Sequence, residues 1–311
     1  MKVIVQIPCL NEEETLPLVF EKMPRKIEGV DELIFQIIDD GCTDKTVEVA
    51  KKLGVKNILT ACPPGKNRRW LGRAFKMGMD KALAEGADIL VNTDGDNQYP
   101  SDRIPDLIKP ILEGRADIVI GDRQTQSVEE FSAFKKFLQR FGSWVTKSMS
   151  GADVPDAVSG FRAYSRKAMK KINIVTNYTY TVDTIMQAEK KGLDIEWVKI
   201  KTNKKTRESR LIKSLWSKVK KSGSTIVRMY VIYEPLKTFT ILASVFLIVG
   251  LILLGRFGYF FAIGEGSGKI QSVVVGGVSL VMAVQLFALG LIADLLAVNR
   301  RLIEDVLERV K

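Results

Sequence analysis

The sequence predicts an α/β fold, in which a mostly parallel sheet is flanked by helices, followed by an apolar region near the end of the chain. Short β-branched runs alternate with helical patterns over residues 1 to about 200, which is typical of a parallel sheet with helices on both faces. A basic band and two long uncharged runs come after them. At 311 residues the chain has room for one large domain with a sizeable core, or for two small ones.

The predicted elements alternate in order along the first part of the chain. The expected strands are Val3–Ile7, Leu33–Ile38, Asn57–Thr60, Ile89–Val91, Asp117–Ile120 and Ile195–Ile200. The expected helices are Glu13–Lys22, Thr43–Leu53, Leu71–Glu85, Arg103–Glu113, roughly Val128–Met149, and Val182–Lys191. In open sheets of this kind, ligands bind beyond the carboxyl ends of the strands.

Polar clusters follow four of the predicted strands. They read PCLNEEE after the first strand, DDGCTDKT after the second, TDGDNQ after the fourth and GDR after the fifth. A binding site is therefore expected at the edge of the sheet where these strands end. No GxGxxG or GxxxxGK[ST] motif follows any of them, which argues against dinucleotide-dependent dehydrogenases and P-loop enzymes.

The cluster Asp94-Gly95-Asp96-Asn97-Gln98 has the donor atoms of a divalent-cation site. Mg²⁺ and Mn²⁺ prefer carboxylate and carbonyl oxygens and keep positions open for substrate phosphates, and Gly95 is expected to permit a tight turn. A solvated turn would show the same pattern, but the acids at Asp39-Asp40 favour a ligand site. One acidic strand end would bind the base or ribose of a nucleotide, and the other the metal on its diphosphate.

Residue types that are rare or absent exclude other chemistry. The chain contains no histidine, and its three cysteines show neither CxxC pairing nor metal spacing. The usual zinc sites and any Ser–His or Cys–His nucleophile are therefore excluded. No signal peptide is recognisable at the N-terminus, so we expect reduced thiols and a cytosolic location for the globular part.

The positive charge is concentrated in one band. The formal net charge is +11, and Lys199 to Arg228 contains eleven Lys or Arg against one acid, Glu208. The rest of the chain is nearly neutral, which is not the pattern of a uniformly basic nucleic-acid-binding protein. A basic band beside apolar segments predicts contact with an anionic membrane surface, and no nucleic acid as a partner.

Two uncharged runs, Thr238–Gly255 and Ser272–Ala293, predict a transmembrane hairpin. Each is long enough to cross a hydrocarbon core of about 30 Å, although a pair of buried core helices is the alternative. Lys and Arg flank the hairpin on one side, which places both termini in the cytosol. Within the basic band, the apolar spacing from Leu211 to Val219 predicts an interfacial amphipathic helix, or else a packed surface helix.

The predicted organisation is a multi-pass protein of the cell (inner or plasma) membrane. A cytosolic catalytic domain spans residues 1–205, and a basic amphipathic segment spans residues 206–235. Two transmembrane helices lie within residues 236–299, at about 238–256 and 272–296, and a cytosolic tail covers residues 300–311.

Six motifs carry a family resemblance. IPCLNEEETL, IIDDGCTDKT, GRAFKMGMDKAL, VNTDGDNQYP, IVIGDR and DAVSGFRAYSR resemble, in that order, the motifs of the family-two glycosyltransferases of GT-A fold. The resemblance covers about residues 1–210. With the basic band and hairpin, the chain is similar to polyprenyl-phosphate (dolichyl-phosphate) mannosyl- or glucosyltransferases. This implies Mg²⁺ or Mn²⁺ and inverting transfer of a hexose from a nucleotide sugar, of UDP-glucose or GDP-mannose type, to polyprenyl phosphate.

The resemblance also implies roles for individual residues. Nucleotide binding is expected of Pro8, Asn11, Glu12, Asp39 and Asp94. Metal binding is expected of Asp94, Asp96 and Gln98, and the catalytic set is Asp94, Asp96 and Arg123. Acceptor-phosphate binding is expected of Arg123, Arg162, Arg207, Ser209 and Arg210, with Asp156, Gly160 and Phe161 near the acceptor.

The chain departs from the family pattern at two places. Tyr99 follows Gln98 where many relatives have histidine, and Arg207-Glu208-Ser209-Arg210 stands where relatives commonly read Gly-x-Ser-Lys, with Lys204 in place of an upstream arginine. The acceptor-phosphate ligands in this segment therefore stay open. Lys135, Lys136 and Arg140 are further candidates, or else a solvated helix face.

Other functions fit parts of the same pattern. A processive polysaccharide synthase and a transferase to another lipid acceptor share the acidic motifs, and a non-catalytic nucleotide-sugar-binding membrane scaffold would retain them as well. The sugar, the nucleotide, the polyprenol, the choice of Mg²⁺ or Mn²⁺ and the oligomeric state, including a homo-oligomer, stay open.

Overall fold

The computed structural model of the chain describes residues 1–65, 71–124, 154–174, 180–203, 231 and 234–310. The predicted helix over Val128–Met149, the predicted amphipathic helix and the candidate phosphate ligands Arg207, Ser209 and Arg210 lie outside these residues. The chain divides into two units, Met1–Arg210 with Val310–Lys311, and Leu211–Arg309.

The described part of the first unit contains one seven-stranded sheet. Its strands are β1 (Lys2–Cys9), β2 (Glu32–Asp40), β3 (Asn57–Cys62), β4 (Ile89–Asn92), β5 (Ile118–Asp122), β6 (Arg162–Ser165) and β7 (Ile195–Lys199). They lie in the order β3-β2-β1-β4-β6-β5-β7, and β6 is antiparallel to both of its neighbours while the other pairs are parallel. The mostly parallel sheet is confirmed.

The helices of this unit connect the strands. They are α1 (Leu16–Glu21), α2 (Thr46–Lys52), α3 (Leu71–Ala84), α4 (Ile104–Leu112), α5 (Arg166–Lys171) and α6 (Thr181–Lys190), with a 3₁₀ turn at Ser101–Arg103. The predicted helices among the described residues are present, with ends displaced by up to three residues. The sequence analysis missed β6 and α5, because a four-residue strand that begins with an arginine has no clear period-two pattern.

The two faces of the sheet are buried under different helices. On one face, Val3, Val5 and Ile7 of β1 pack in a core with side chains of α1, α2 and α4. On the other face, Ile4 packs with side chains of α3, α5 and α6. Burying each such side chain contributes about 1.5–3 kcal/mol. With both faces covered, the ends of the strands are where this layered core leaves room for a ligand.

The second unit contains two long helices, α7 (Pro235–Ala262) and α8 (Ile270–Val310). Their apolar side chains are largely exposed, unlike those of a core helix, and by length and composition both helices could cross a membrane. They extend beyond the predicted spans at 238–256 and 272–296. The expected tail after residue 300 continues α8 as helix through Val310.

The two helices of this unit pack against each other through glycines. A Cβ on Gly250 would lie 2.9 Å from Leu280, and one on Gly276 would lie 3.0 Å from Leu254. Nearer the start of α7, a Cβ on Gly290 would lie 2.8 Å from Phe239. These contacts fix an antiparallel hairpin, and small residues of this kind let helix backbones approach closely in membranes.

Candidate active site

Backbone strain in the described residues is concentrated at the carboxyl edge of the sheet. Asn11, Asn97 and Gln124 are the non-glycine residues with positive φ there, at 57°, 58° and 47°. They follow β1, β4 and β5 respectively. Such backbone costs of order 1 kcal/mol or more and clusters at functional sites. The polar clusters predicted from the sequence are thus also the places where the backbone takes unusual conformations.

The acidic loop, defined here as Asp94–Gln98, leaves β4 at this edge. The backbone N–H and the Nε2 of Gln98 donate to the two carboxylate oxygens of Asp96, at 3.1 and 2.8 Å. Gln98 therefore orients Asp96. The tight turn that we expected at Gly95 is made by Asn97 instead, since Asn97 has the left-handed backbone and Gly95 does not.

Gly95 is required for a different reason, the close approach of the acidic loop to the loop after β1. A Cβ at Gly95 would lie 3.0 Å from Cys9 Sγ and 3.2 Å from Glu12 Cγ. The Thr15 hydroxyl joins the two loops, because it lies 2.8 Å from the Gly95 carbonyl oxygen and 2.6 Å from Glu12 Oε2. The predicted nucleotide-binding and metal-binding loops are therefore in direct contact.

The loops after β1 and β2 are also joined. Asn11 Oδ1 accepts a hydrogen bond from the Thr43 backbone N–H at 2.8 Å. Asp39 Oδ1 accepts from the backbone N–H groups of Gly41 and Cys42, at 3.0 and 2.7 Å. Pro8, at the end of β1, pairs with Ile38 beside them. The structure thus brings Pro8, Asn11, Glu12 and Asp39 together on one side of the acidic loop.

Negative charge accumulates between these loops. Burial raises the pKa of Asp94; the neighbouring carboxylates of Asp96 and Glu12 raise it further, and the Arg123 guanidinium opposes them. Burial and the adjacent Asp39 likewise raise the pKa of Asp40 to about 6. Burial also raises the pKa of the Cys9 thiol. A bound cation would relieve this repulsion.

The oxygen donors fit a divalent cation that is shared with a substrate. Asp94, Asp96 and Gln98 are half-buried neighbours that supply carboxylate and amide oxygens, the donor types that Mg²⁺ and Mn²⁺ prefer. Gln98 would have to present Oε1 in place of the Nε2 that now faces Asp96. In the part of the chain described, no group of three or more Cys, Asp or Glu side chains forms a metal site by itself.

Arg123 lies on the other side of Asp94. Its Nε and Nη2 donate to the two carboxylate oxygens of Asp156, at 2.6 and 2.9 Å. Asp156 is buried and Arg123 is partly exposed. A two-point pair of this kind fixes the plane of the guanidinium. Among the described residues, Nη1 forms no hydrogen bond.

The contacts of Arg162 are those of a structural residue, and they argue against the prediction that it binds acceptor phosphate. It is fully buried. Its guanidinium donates to the carbonyl oxygens of Ser159 and Ala157 at 2.8 Å, and to the Thr181 carbonyl and Thr184 hydroxyl at 2.7 Å. Withdrawing a cation from four good hydrogen bonds to bind phosphate would be costly. Arg162 holds the loop between Val154 and Phe161 in place instead.

That loop comes within van der Waals distance of Asp94. A Cβ at Gly160 would lie 3.2 Å from Asp94 Oδ1 and 3.2 Å from the Tyr180 hydroxyl oxygen. The Gly160 carbonyl accepts from Asn92 Nδ2 at 2.8 Å, and Asn92 Nδ2 also donates to the Tyr180 hydroxyl at 2.7 Å. The GFR motif thus contributes a glycine, rather than its arginine, to the surroundings of Asp94.

A row of three buried amides crosses the sheet at the end of β4, shortly before the acidic loop. Gln36, Gln6 and Asn92 pair at the same level across β2, β1 and β4, and all three are fully buried. Gln6 Nε2 donates to Asn92 Oδ1 at 3.0 Å. The sequence analysis missed these residues, although a polar residue in the middle of an apolar strand was a visible signal.

The acidic loop is also tied to the beginning of the basic band. Asn203 Nδ2 donates to the Asn97 carbonyl at 3.0 Å, and the Asn203 backbone N–H donates to the Gln98 carbonyl at 3.0 Å. Asn203 is the last described residue before the segment that contains Arg207, Ser209 and Arg210. Asn203, four residues before Arg207 in the sequence, therefore lies beside the acidic loop.

Comparisons with known proteins show what this chain is similar to. The model of the family described as "Glycosyl transferase family 2" matches residues 4–173, more than half of the chain. A UDP-N-acetylglucosamine–dolichyl-phosphate N-acetylglucosaminyltransferase of Methanococcus voltae is 30% identical over 63% of this chain and 83% of its own length. An undecaprenyl-phosphate mannosyltransferase of Micrococcus luteus is 26% identical over 64% of this chain and 83% of its own length.

Solved structures confirm the GT-A fold. The crystal structure of glucosyl-3-phosphoglycerate synthase from Mycobacterium tuberculosis, in complex with Mn²⁺, UDP-glucose and phosphoglyceric acid, superposes with a TM-score of 0.56 at 21% identity. The match covers 74% of this chain and 78% of that one.

Proposed function

We propose that this chain, which belongs to glycosyl transferase family 2, transfers one hexose from a nucleotide sugar to polyprenyl phosphate at a membrane surface. The observation that carries the proposal is the acidic loop itself. Its carboxylates lie between a loop joined to Asp39 on one side and Arg123 on the other. In such an arrangement the carboxylates would bind the cation on the diphosphate of a nucleotide sugar, and Arg123 would bind the phosphate of the acceptor.

The relatives support a lipid phosphate as the acceptor. The names of both relatives described above include undecaprenyl phosphate or dolichyl phosphate. The two apolar helices of the second unit favour a membrane protein. We place the globular unit and both termini on the cytosolic side, because Lys and Arg crowd the flanks of the hairpin. Each basic residue near an anionic surface contributes about 1 kcal/mol of binding.

The chemistry needs no general base. A phosphate monoester has a second pKa of roughly 6, so the lipid phosphate is already an anion near neutral pH. What it needs is alignment behind the anomeric carbon and protection from the charge of the donor diphosphate. Asp94 and Asp96 are therefore assigned to the diphosphate and its cation, rather than to proton abstraction.

Different residues of the site would bind different parts of the two substrates. Asp39 and the loop that contains Asn11 would hold the nucleoside. Asp94, Asp96 and Gln98 would hold Mg²⁺ or Mn²⁺, which when bound neutralises charge that develops on the departing nucleoside diphosphate. Arg123, held by Asp156, would bind phosphate through Nη1. In-line displacement then inverts the anomeric centre.

The proposal is tested with a panel of donors. The full chain in proteoliposomes that contain polyprenyl phosphate is given radiolabelled UDP- and GDP-sugars with Mg²⁺ or Mn²⁺. We expect one donor to yield a lipid that carries a single sugar. Labelled polymer would identify a processive synthase, and label on diacylglycerol alone a different acceptor. Binding of nucleotide sugars without release of nucleoside diphosphate from any donor would identify a scaffold.

A truncated chain separates donor binding from use of the lipid. A chain that ends after Lys205 lacks the hairpin and seven of the eleven basic residues of the band. We expect it to bind nucleotide sugar with little change in Kd and to lose transfer to long-chain polyprenyl phosphate. Unchanged turnover of the long-chain lipid would contradict the role given to the second unit.

A further inference from the structure

Tyr99 directly follows the acidic loop, and its contacts give it a role that the sequence analysis did not. It is buried, with 4% of its surface exposed. Its hydroxyl oxygen accepts a hydrogen bond from the Gly160 backbone N–H at 2.8 Å. Its ring stacks on Phe161, with 5.4 Å between ring centroids and 14° between ring planes.

The loop that Tyr99 contacts is the one that positions Arg123. Asp156, at the start of this loop, holds the Arg123 guanidinium at two points. The Ser159 backbone N–H donates to the Asp156 carbonyl at 3.3 Å, which closes a short turn directly before Gly160. A displacement of Gly160 would therefore be passed on to Asp156, and from there to Arg123.

The backbone of Tyr99 is also held by a hydrogen bond. The Asn203 side-chain Nδ2 lies 3.3 Å from the Tyr99 carbonyl oxygen and 3.0 Å from that of Asn97. The backbone of the acidic loop is thus fixed, and the Tyr99 hydroxyl joins it to a loop that belongs to a distant part of the sequence. Gly160 in turn lies against Asp94, because a Cβ there would be 3.2 Å from Asp94 Oδ1.

We propose that Tyr99 is a positioning residue that sets the separation between the acidic loop and Arg123. The inference rests on the proposed function, in which the acidic loop holds the donor diphosphate and Arg123 holds phosphate. In-line transfer requires the two groups at a fixed separation, and a displacement of about 1 Å can cost about 100-fold in rate. Binding of the nucleotide alone uses only one side of this arrangement.

The test compares Tyr99→Phe with Tyr164→Phe in the full chain. Both changes remove one hydroxyl from a buried tyrosine, and Tyr164 has no hydrogen bond to Gly160. Hydrogen exchange of the peptide that contains Gly160 reports the contact directly, without any activity. We expect exchange at least tenfold faster in Tyr99→Phe, and unchanged exchange in Tyr164→Phe.

Transfer kinetics give the second measurement. In Tyr99→Phe we expect kcat to fall by 10- to 100-fold while the Kd for the nucleoside diphosphate changes less than threefold. Wild-type exchange rates in Tyr99→Phe, or wild-type kcat despite faster exchange, would overturn the inference. If the wild-type chain transfers no sugar from any donor, the proposed function fails, and the exchange experiment alone decides whether Tyr99 joins the two loops.

Discussion

The two ends of the sheet both carry aspartates, but their surroundings are opposite. At the amino end, Asp117 accepts hydrogen bonds from Lys167 Nζ at 2.7 Å and Ser165 Oγ at 3.0 Å. Burial raises the pKa of Asp117, but the bonds from Lys167, the Asp194 amide and Ser165 outweigh it and leave the pKa below its usual value. At the carboxyl end, the pKa values of Asp40 and Asp94 are raised.

We infer from this difference that Asp117 stabilises the fold, whereas the acids at the carboxyl end are arranged to bind a ligand. A carboxylate that is paired in the folded state contributes to stability, whereas crowded, half-buried carboxylates reduce it. At the amino end a lysine, Lys167, pairs with Asp117. At the carboxyl end the neighbouring cation is Arg123, and its guanidinium is already paired with Asp156. The excess negative charge at this end therefore indicates a cationic ligand.

The largest expected effect comes from removing one charge at each end. Asp96→Asn keeps the shape of the side chain but removes a predicted cation ligand, so we expect transfer to fall by about 10³-fold with no loss of thermal stability. Asp117→Asn should do the reverse, costing about 1–2 kcal/mol of unfolding free energy while transfer per folded molecule is kept. Sugar transfer and thermal unfolding are measured on both. Equal losses of transfer would remove the distinction.

The next largest effect on transfer is expected from replacing the guanidinium of Arg123. Arg123→Lys keeps the charge but cannot make the two-point pair with Asp156, so we expect transfer to fall by roughly 10- to 100-fold. Arg115→Lys is the matched control, since Arg115 pairs with Glu113 and Glu196 on the exposed surface. It should change transfer less than about twofold. A wild-type rate in Arg123→Lys would show that Arg123 does not hold phosphate.

A smaller effect is expected from adding one methyl group beside Asp94. Gly160 does not have positive φ, so alanine fits the backbone, but its Cβ would lie 3.2 and 3.3 Å from the two Asp94 oxygens. Gly160→Ala should displace Asp94 by a few tenths of an ångström and lower transfer about tenfold. Steady-state kinetics with a thermal melt separate this from unfolding. Unchanged kinetics would place Asp94 away from the reacting groups.

The smallest effect is a pH dependence of stability at Asp40. Its pKa of about 6 in the folded protein is above the ordinary value of 3.8, so its contribution to stability is full below about pH 4 and is lost as pH rises through 6. Asp40→Asn should therefore be more stable than wild type by about 1 kcal/mol at pH 7.5, and equal to it near pH 4. Chemical denaturation at both pH values measures this. A difference that grows toward low pH would contradict the raised pKa.

Local features of the sequence predicted that the polar clusters lie at one edge of the sheet, because each cluster directly follows an apolar strand. Asp39, Asp94 and Arg123 could be placed at one edge of the sheet from the direction of parallel strands alone. Long-range contacts could not be predicted in this way. Arg162 stands in a motif that suggested phosphate binding, yet its partners include Thr181 and Thr184 of α6, and no local pattern shows that they surround it.

The role of Tyr99 was hidden for the same reason, since its partner Gly160 is distant in the sequence. Gly95 illustrates a smaller error. A glycine between two acids suggested a tight turn, but the space that Gly95 leaves is used by Cys9 and Glu12 of another loop. The helical hairpin was easier to predict, because its length and lack of charge are properties of contiguous residues.

The central claim is that the acids at the carboxyl end act through a divalent cation. The most direct test measures sugar transfer to polyprenyl phosphate by the full chain in chelator, and again after Mg²⁺ or Mn²⁺ is added in excess. The account predicts that wild-type transfer falls by about 10³-fold in chelator and returns with either metal, and that Asp96→Asn does not recover. Full-rate transfer in chelator, by the wild-type chain or by Asp96→Asn, would contradict it.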